Sequence, residues 1–270
     1  MIKQILIYFH FQLAISAVLI YFVFLLIFKI TISTECLIAH LIFVGFGTLL
    51  GYTFIDWLGA VYATQRDSKQ RWLLENKHYV AYIMAVCIVL GGFCMLFFTW
   101  HEFILIALLF VITLIYDRGY KNFGGLRMIP FCKPFVIATV WTGATCILAQ
   151  SECSFTNQSF YFFIWMLIIC IVYDEKDFEI DSLTGVVTFT TYLSESSYKY
   201  SLYTVFFLFS IVLFFNDNTT LALCYVIACS VLFGYKLFFQ RYVFNRWHAR
   251  SIDFIMVLPF LFFLLFSYNF

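Results

Sequence analysis

The chain has 270 residues, of which 64% are hydrophobic and only 11% charged, and its formal net charge is +1. A soluble domain carries roughly 25% charged residues to keep its surface wetted, so a soluble globule is excluded, and 37 Phe with 18 Tyr exclude a disordered chain. A charge balance this close to neutral offers no basic face to nucleic acid. The composition is that of an integral membrane protein.

The chain opens Met1-Ile2-Lys3 and continues into an apolar run over 5–28. That run is longer than the roughly 7–15 residues of a signal-peptide core and no small-x-small cleavage site follows it. It is expected to be a retained first span. A membrane helix needs about 20 mostly apolar residues. Such runs occur at 5–28, 37–61, 79–99, 102–116, 133–149, 159–173, 199–215, 220–237 and 252–268. Helices are the expected form, because lipid offers nothing to hydrogen-bond an open backbone. The expected fold class is therefore all-α: a polytopic membrane protein of nine transmembrane helices. No Pro/Gly-rich linker interrupts it, and 1–270 is expected to be a single domain.

Charge in the connecting segments fixes an orientation. With the N-terminus cytoplasmic, fifteen of the sixteen Lys and Arg face inward and Lys29 alone faces outward, a strong positive-inside asymmetry. Nine spans then place the C-terminus outside. The inner connections 62–78, 117–132, 174–198 and 238–251 are the long ones, so polar chemistry is expected at the cytoplasmic face.

The second run holds Gly45-x-Gly47-x-x-x-Gly51. No strand precedes it, so it is no nucleotide loop. Gly47-x-x-x-Gly51 is expected to let two helices approach. His10 and His40, inside spans, are expected to bond helix to helix. Asp253 is expected to pair with Arg250 or Arg246. Arg66, Lys69, Arg71 and Lys121 read first as topology and headgroup contacts. The nine Cys lack metal-ligand spacing, and most lie in apolar runs.

The richest polar stretch follows the sixth run: Tyr173-Asp174-Glu175-Lys176-Asp177-Phe178-Glu179-Ile180-Asp181. On a helix, Asp174, Asp177 and Asp181 fall within about 60° of one another, while Glu175 and Glu179 lie about 100–140° away. Three carboxylates on one stripe repel, and a divalent cation relieves the repulsion. Mg²⁺ takes oxygen ligands and commonly completes its shell with substrate phosphates. The spacing fits either a magnesium–phosphate site or an acidic, solvated helix at the membrane surface.

The pattern Asp174-x-x-Asp177-x-x-x-Asp181-x-x-x-Gly185-x-x-Thr188 resembles the second aspartate-rich motif of the UbiA superfamily of intramembrane prenyltransferases. The stretch from Leu126-Arg127-Met128-Ile129-Pro130-Phe131-Cys132-Lys133 to Trp141 is similar to the segment leading into the fifth helix of bacterial members. Nine helices is also the family's number. The resemblance implies a UbiA-like helical bundle, in a bacterial inner membrane by analogy with those members. It implies Mg²⁺-dependent transfer of an isoprenyl group from an isoprenyl diphosphate to a membrane-soluble acceptor, aromatic or lipid. It implies Asp177 and Asp181 as catalytic carboxylates, with Asp174, Asp177, Asp181 and Asp56 as metal ligands. Arg66, Lys69, Arg127, Lys133 and Thr53 are the implied diphosphate-binding residues.

The sequence departs from the family at the inner end of the second run, Gly51-Tyr52-Thr53-Phe54-Ile55-Asp56-Trp57. A first aspartate-rich motif with Asn and two or three Asp is expected there. Asp56 is its only acid, and Thr53 stands where Asn is expected. In one reading Asp56 and the basic residues Arg66, Lys69 and Arg71 stand in for the missing carboxylates. In another, the chain is a non-catalytic protein of this fold that binds a lipid or isoprenoid. A third reading is a small-solute transporter, although repeats and broken helices near the midplane are not evident.

Overall fold

A computed structural model gives the structure of residues 9–62, 68–117, 125–150, 153–215, 218–238 and 246–267. Among these the chain is helical, and each of the nine apolar runs overlaps a helix. Three segments, Thr34–Val61, Lys77–Phe97 and Thr219–Lys236, are long and apolar enough to cross a membrane by length and composition. Shorter apolar helices cover Phe11–Ile27, Trp100–Tyr116, Cys132–Ile147, Asn157–Tyr173 and Ile252–Ser267. The chain forms two compact units: Met1–Thr113 with Leu148–Cys153, and Leu114–Ile147 with Ser154–Phe270.

In the first unit, α1 (Phe11–Ile27) and α4 (Lys77–Cys94) both pack along α2 (Thr34–Tyr62). The short α3 (Ser68–Glu75) lies against the end of α2, and α5 (Trp100–Asp117) begins here. Phe9, Ala14, Leu49, Ala60, Leu73, Val80 and Cys87 form the core where α3 meets α2 and α4. The start of α5 is written in the sequence Thr99-Trp100-His101-Glu102. The Glu102 carboxylate accepts from the Thr99 backbone N–H at 2.6 Å, and the Glu102 N–H reaches the Thr99 hydroxyl at 3.4 Å. This reciprocal capping box satisfies donors that lipid cannot.

The second unit holds α6 (Cys132–Trp141), extended by a π-helical turn Thr142–Ile147, and α7 (Asn157–Tyr173) packed along it. The short α8 (Phe178–Thr184) and α9 (Phe189–Tyr192) follow. α10 (Glu195–Leu213), α11 (Thr219–Phe238) and α12 (Arg246–Ser267) complete it. Thr156 and Ser159 cap α7 reciprocally. The interior is aromatic: Trp165, Phe162, Phe209, Tyr225 and Phe260 meet edge-on or tilted at 5.5–6.1 Å. Pro259 lies inside α12 and cannot donate to its ladder. Beside it, the Trp165 indole N–H donates to the Met256 carbonyl at 3.0 Å.

The glycine expectation is corrected. A Cβ on Gly51 would meet nothing within 4 Å, and one on Gly47 only Phe43 of the same helix at 4.0 Å. The close approach between α1 and α2 is at Gly45, where a Cβ would stand 3.1 Å from Val18 Cγ2. Gly45→Leu should therefore destabilise the chain by about 1–3 kcal/mol through overpacking. Gly51→Ala should be neutral or stabilise by up to about 1 kcal/mol through helix propensity. Unfolding in detergent micelles, followed by tryptophan fluorescence, measures both, and the reverse order would refute this packing.

Candidate functional site

The acidic segment does not continue α7 as one helix. α7 ends at Tyr173, and residues 174–177 form a tight turn in which Glu175, Lys176 and Asp177 each bond back three residues. Three-residue repeats eclipse side chains at i and i+3, which places Asp174 and Asp177 side by side. α8 then starts at Phe178 and carries Asp181. It closes on Gly185 in the left-handed region (φ 74°), with the Val186 N–H returning to the Asp181 carbonyl at 2.9 Å. The expected gathering of three aspartates is present, but a turn produces it, not one face of a helix.

What the aspartates gather around is the Lys133 ammonium. Its Nζ lies 3.0 Å from Asp174 Oδ1, 2.9 Å from Asp177 Oδ2 and 2.8 Å from Asp181 Oδ2. Lys133 sits in the first turn of α6 and is buried. A cation there opposes the helix dipole, and the three carboxylates outweigh it. Arg127, in the short 3₁₀ turn Leu126–Met128, donates to Asp181 Oδ1 at 2.7 Å. This turn is anchored at Phe131, whose backbone is left-handed (φ 61°) and whose N–H donates to the Val187 carbonyl at 2.9 Å.

The three acids are not equivalent. Asp181 and Asp174 are buried, whereas the Asp177 side chain is 31% exposed. Burial pushes the Asp174 pKa up to about 7, with Lys133 only partly opposing it. Burial also raises Asp177, but the charges of Lys133, Lys176 and Arg127 prevail and hold it below the usual carboxylate range. Asp174 Oδ2 is buried without a hydrogen-bond partner.

The residues flanking the turn hold it in place. Glu175, on the other side of the chain as expected, is buried against Lys236 of α11, with Nζ at 2.6 Å from Oε1 and 2.5 Å from Oε2. The Tyr173 hydroxyl donates to Asp253 of α12 at 2.8 Å. The side chains of Arg246 and Arg250, the expected partners of Asp253, lie outside the described residues. The Tyr198 hydroxyl of α10 donates to the Ile171 carbonyl at 3.2 Å. Sequence reading missed Lys236 as a partner of Glu175. The available signal was that both fall at inner ends of expected runs.

In the first unit, Asp56 Oδ2 is held by the Lys69 ammonium and lies 2.8 Å from His10 Nε2, which is itself 2.8 Å from Lys69 Nζ. His10 bonds to Asp56 of α2, but from the left-handed turn that precedes α1 and not from within a helix as expected. Its pairing with Asp56 was foreshadowed by depth, since each stands about five residues, or 7–8 Å, from the inner end of its run. The Thr53 hydroxyl, one turn before Asp56, is buried without a partner. Arg66 lies outside the described residues.

Among the described residues, no three or more His, Cys, Asp or Glu side chains stand at metal-binding spacing. The oxygens around Lys133 keep ammonium distances, not the about 2.0–2.1 Å of magnesium. In donor chemistry the trio still fits a hard divalent cation. All three are carboxylates, one buried oxygen lacks a partner, and with Asp174 ionised three acids face two cations. The Lys133 ammonium sits at the point the three carboxylates share.

No family profile and no curated protein matches the sequence. Solved structures do match in fold. A UbiA homolog from Archaeoglobus fulgidus bound to GPP and Mg²⁺ aligns with a TM-score of 0.68 and 12% identity, over 96% of this chain and 98% of that one. A digeranylgeranylglyceryl phosphate synthase aligns with a TM-score of 0.55 and 15% identity, over 97% and 98%. These likenesses show an all-α fold of UbiA type.

The raised pKa of Asp174 gives a signed prediction. Its folded value of about 7 lies above the roughly 3.9 of an unfolded Asp. The folded state therefore holds the extra proton between those values, and this group's contribution to stability falls as pH rises through that window. Asp174→Asn should flatten the slope in unfolding series from pH 4 to pH 8. Asp181→Asn, which strips a buried partner from Lys133 and Arg127, should cost about 3–5 kcal/mol. A pH slope identical in wild type and Asp174→Asn would contradict the assignment.

Proposed function

We propose that this chain is a membrane prenyltransferase of UbiA type. It would transfer an isoprenyl group from an isoprenyl diphosphate to a membrane-soluble acceptor, aromatic or lipid, at the cytoplasmic face. The supporting observation is the convergence of Asp174, Asp177 and Asp181 with Lys133 and Arg127 at one end of α7. It occurs in a chain that shares its fold with a protein solved with GPP and Mg²⁺.

The chain's own residues set the terms. Arg127 presents a planar donor fork and Lys133 a mobile ammonium, both suited to phosphate oxygens. Against three carboxylates they leave the cluster with a net negative charge when all are ionised, so a diphosphate does not dock there unaided. Asp174, Asp177 and Asp181 would hold magnesium, which would supply the missing positive charge and Lewis acidity toward the diphosphate. In the reaction the allylic C–O bond breaks and the diphosphate leaves with the electron pair. The acceptor bonds to the allylic carbon and gives up a proton.

A second reading is favoured by one feature: every candidate metal-binding acid already has a cationic partner, Lys133 for the trio and Lys69 for Asp56. In that reading the chain binds an isoprenoid or lipid without turning it over. Purified protein with Mg²⁺ and a panel of isoprenyl diphosphates separates the two. The transferase should release pyrophosphate, and Asp177→Ala and Asp181→Ala should each lower release by about a hundredfold or more. Release unaffected by both substitutions would discard the site, and binding without release would support the second reading.

A further inference from the structure

We propose that the Lys133 ammonium is the resident cation of the Asp174–Asp177–Asp181 focus, and that a divalent cation enters only by displacing it. The inference rests on the transferase reading for the identity of the displacing ion. The exchange itself is argued from the geometry of the cluster.

The ammonium is fully engaged. It has three N–H donors and three carboxylates at 2.8–3.0 Å to receive them. A divalent cation on the same oxygens would stand within about 3 Å of that charge, where like charges repel strongly in a medium of low dielectric. The two therefore exclude each other. Asp181 has no oxygen to spare, since Oδ2 faces Lys133 and Oδ1 faces Arg127. Asp174 has one, the buried Oδ2 without a hydrogen-bond partner. Asp177 is the one acid of the three whose side chain is partly exposed. An incoming ion meets Asp177 first, takes the free oxygen of Asp174, and completes its hold as Lys133 withdraws on its flexible four-carbon stem.

The exchange changes the sign of the site. With Lys133 and Arg127 alone, the carboxylates are in excess. With a divalent ion in place of Lys133 the charges balance, and the freed ammonium nearby adds one positive charge that can face an anion. A polyphosphate therefore finds a receptive site only after the exchange. Lys133 thus keeps the three carboxylates paired and makes anion binding conditional on the metal. It acts as a gating and positioning residue in this scheme.

The test uses the full chain in detergent, without any isoprenoid, and reads Mn²⁺ binding from the free-ion electron paramagnetic resonance signal. Lys133→Met should bind Mn²⁺ about tenfold or more tighter than wild type, because the competing charge is gone. Lys133→Arg, which keeps the charge, should bind as wild type does. Mn²⁺ should also raise the melting temperature of Lys133→Met by more than it raises that of wild type. Equal Mn²⁺ affinity in Lys133→Met and wild type overturns the proposal. If Lys133→Met does not fold, amine acylation of wild-type Lys133, read by mass spectrometry, decides. Labelling should rise severalfold when saturating Mn²⁺ is added, and unchanged labelling overturns the proposal. Tighter binding in Lys133→Met without pyrophosphate release from any isoprenyl diphosphate would leave the exchange standing and remove the transferase reading. Magnesium-dependent release with equal Mn²⁺ affinities would do the opposite.

Discussion

A lysine buried among three carboxylates organises the second unit. Apolar helices in lipid gain little from one rotation or offset over another, because lipid tails are as apolar as their side chains. A buried charge has no such freedom, and leaving it unpaired costs several kcal/mol. Lys133 can be satisfied only if the start of α6 lies against the end of α7, with the turn 174–177 wound tightly enough to bring Asp174 beside Asp177. Glu175 with Lys236 and Tyr173 with Asp253 impose the same kind of condition on α11 and α12. One end of α7 is thereby fixed against α6, α11 and α12 through polar contacts, while aromatic packing around Trp165 and Tyr225 fills the middle.

The first unit follows the same logic around α2. Near its start, His40 Nδ1 pairs with the Tyr21 hydroxyl of α1 at 2.5 Å, and Nε2 lies 3.5 Å from the Glu102 carboxylate of α5. Near its end, Asp56 is held by Lys69 and His10. Between these polar anchors Gly45 faces α1, where a Cβ would stand 3.1 Å from Val18 Cγ2. In both units, then, polar side chains set register and apolar ones supply bulk.

This arrangement bears on function through charge balance. A fold can be shared by enzymes and by proteins without activity, so the chemistry must come from the site. Here the carboxylates that would bind a metal also serve as counter-ions to the chain's own cations. The same residues therefore carry a stability role and a proposed catalytic role, and the two compete for the same oxygens. The three acids converge on Lys133, and no group of three or more His, Cys, Asp or Glu stands at metal-binding spacing among the described residues.

Composition and run lengths were enough to give the membrane class and the all-α architecture, because lipid leaves the backbone few alternatives. The acidic spacing Asp174, Asp177, Asp181 likewise identified residues that do converge. The sequence could not say around what. A one-dimensional pattern records which charges repel along the chain, but not that Lys133, more than forty residues earlier, would fill the space between them. It also misplaced the geometry, since 100° per residue assumes an unbroken helix and the chain turns at 174–177. The helix contact expected at Gly47 and Gly51 moved to Gly45 for a related reason: which glycine faces a neighbour depends on how α1 and α2 rotate against each other. Local propensity and solvent fix the elements, whereas the pairing of buried charges, which only the folded chain brings into contact, decides what the site is made of.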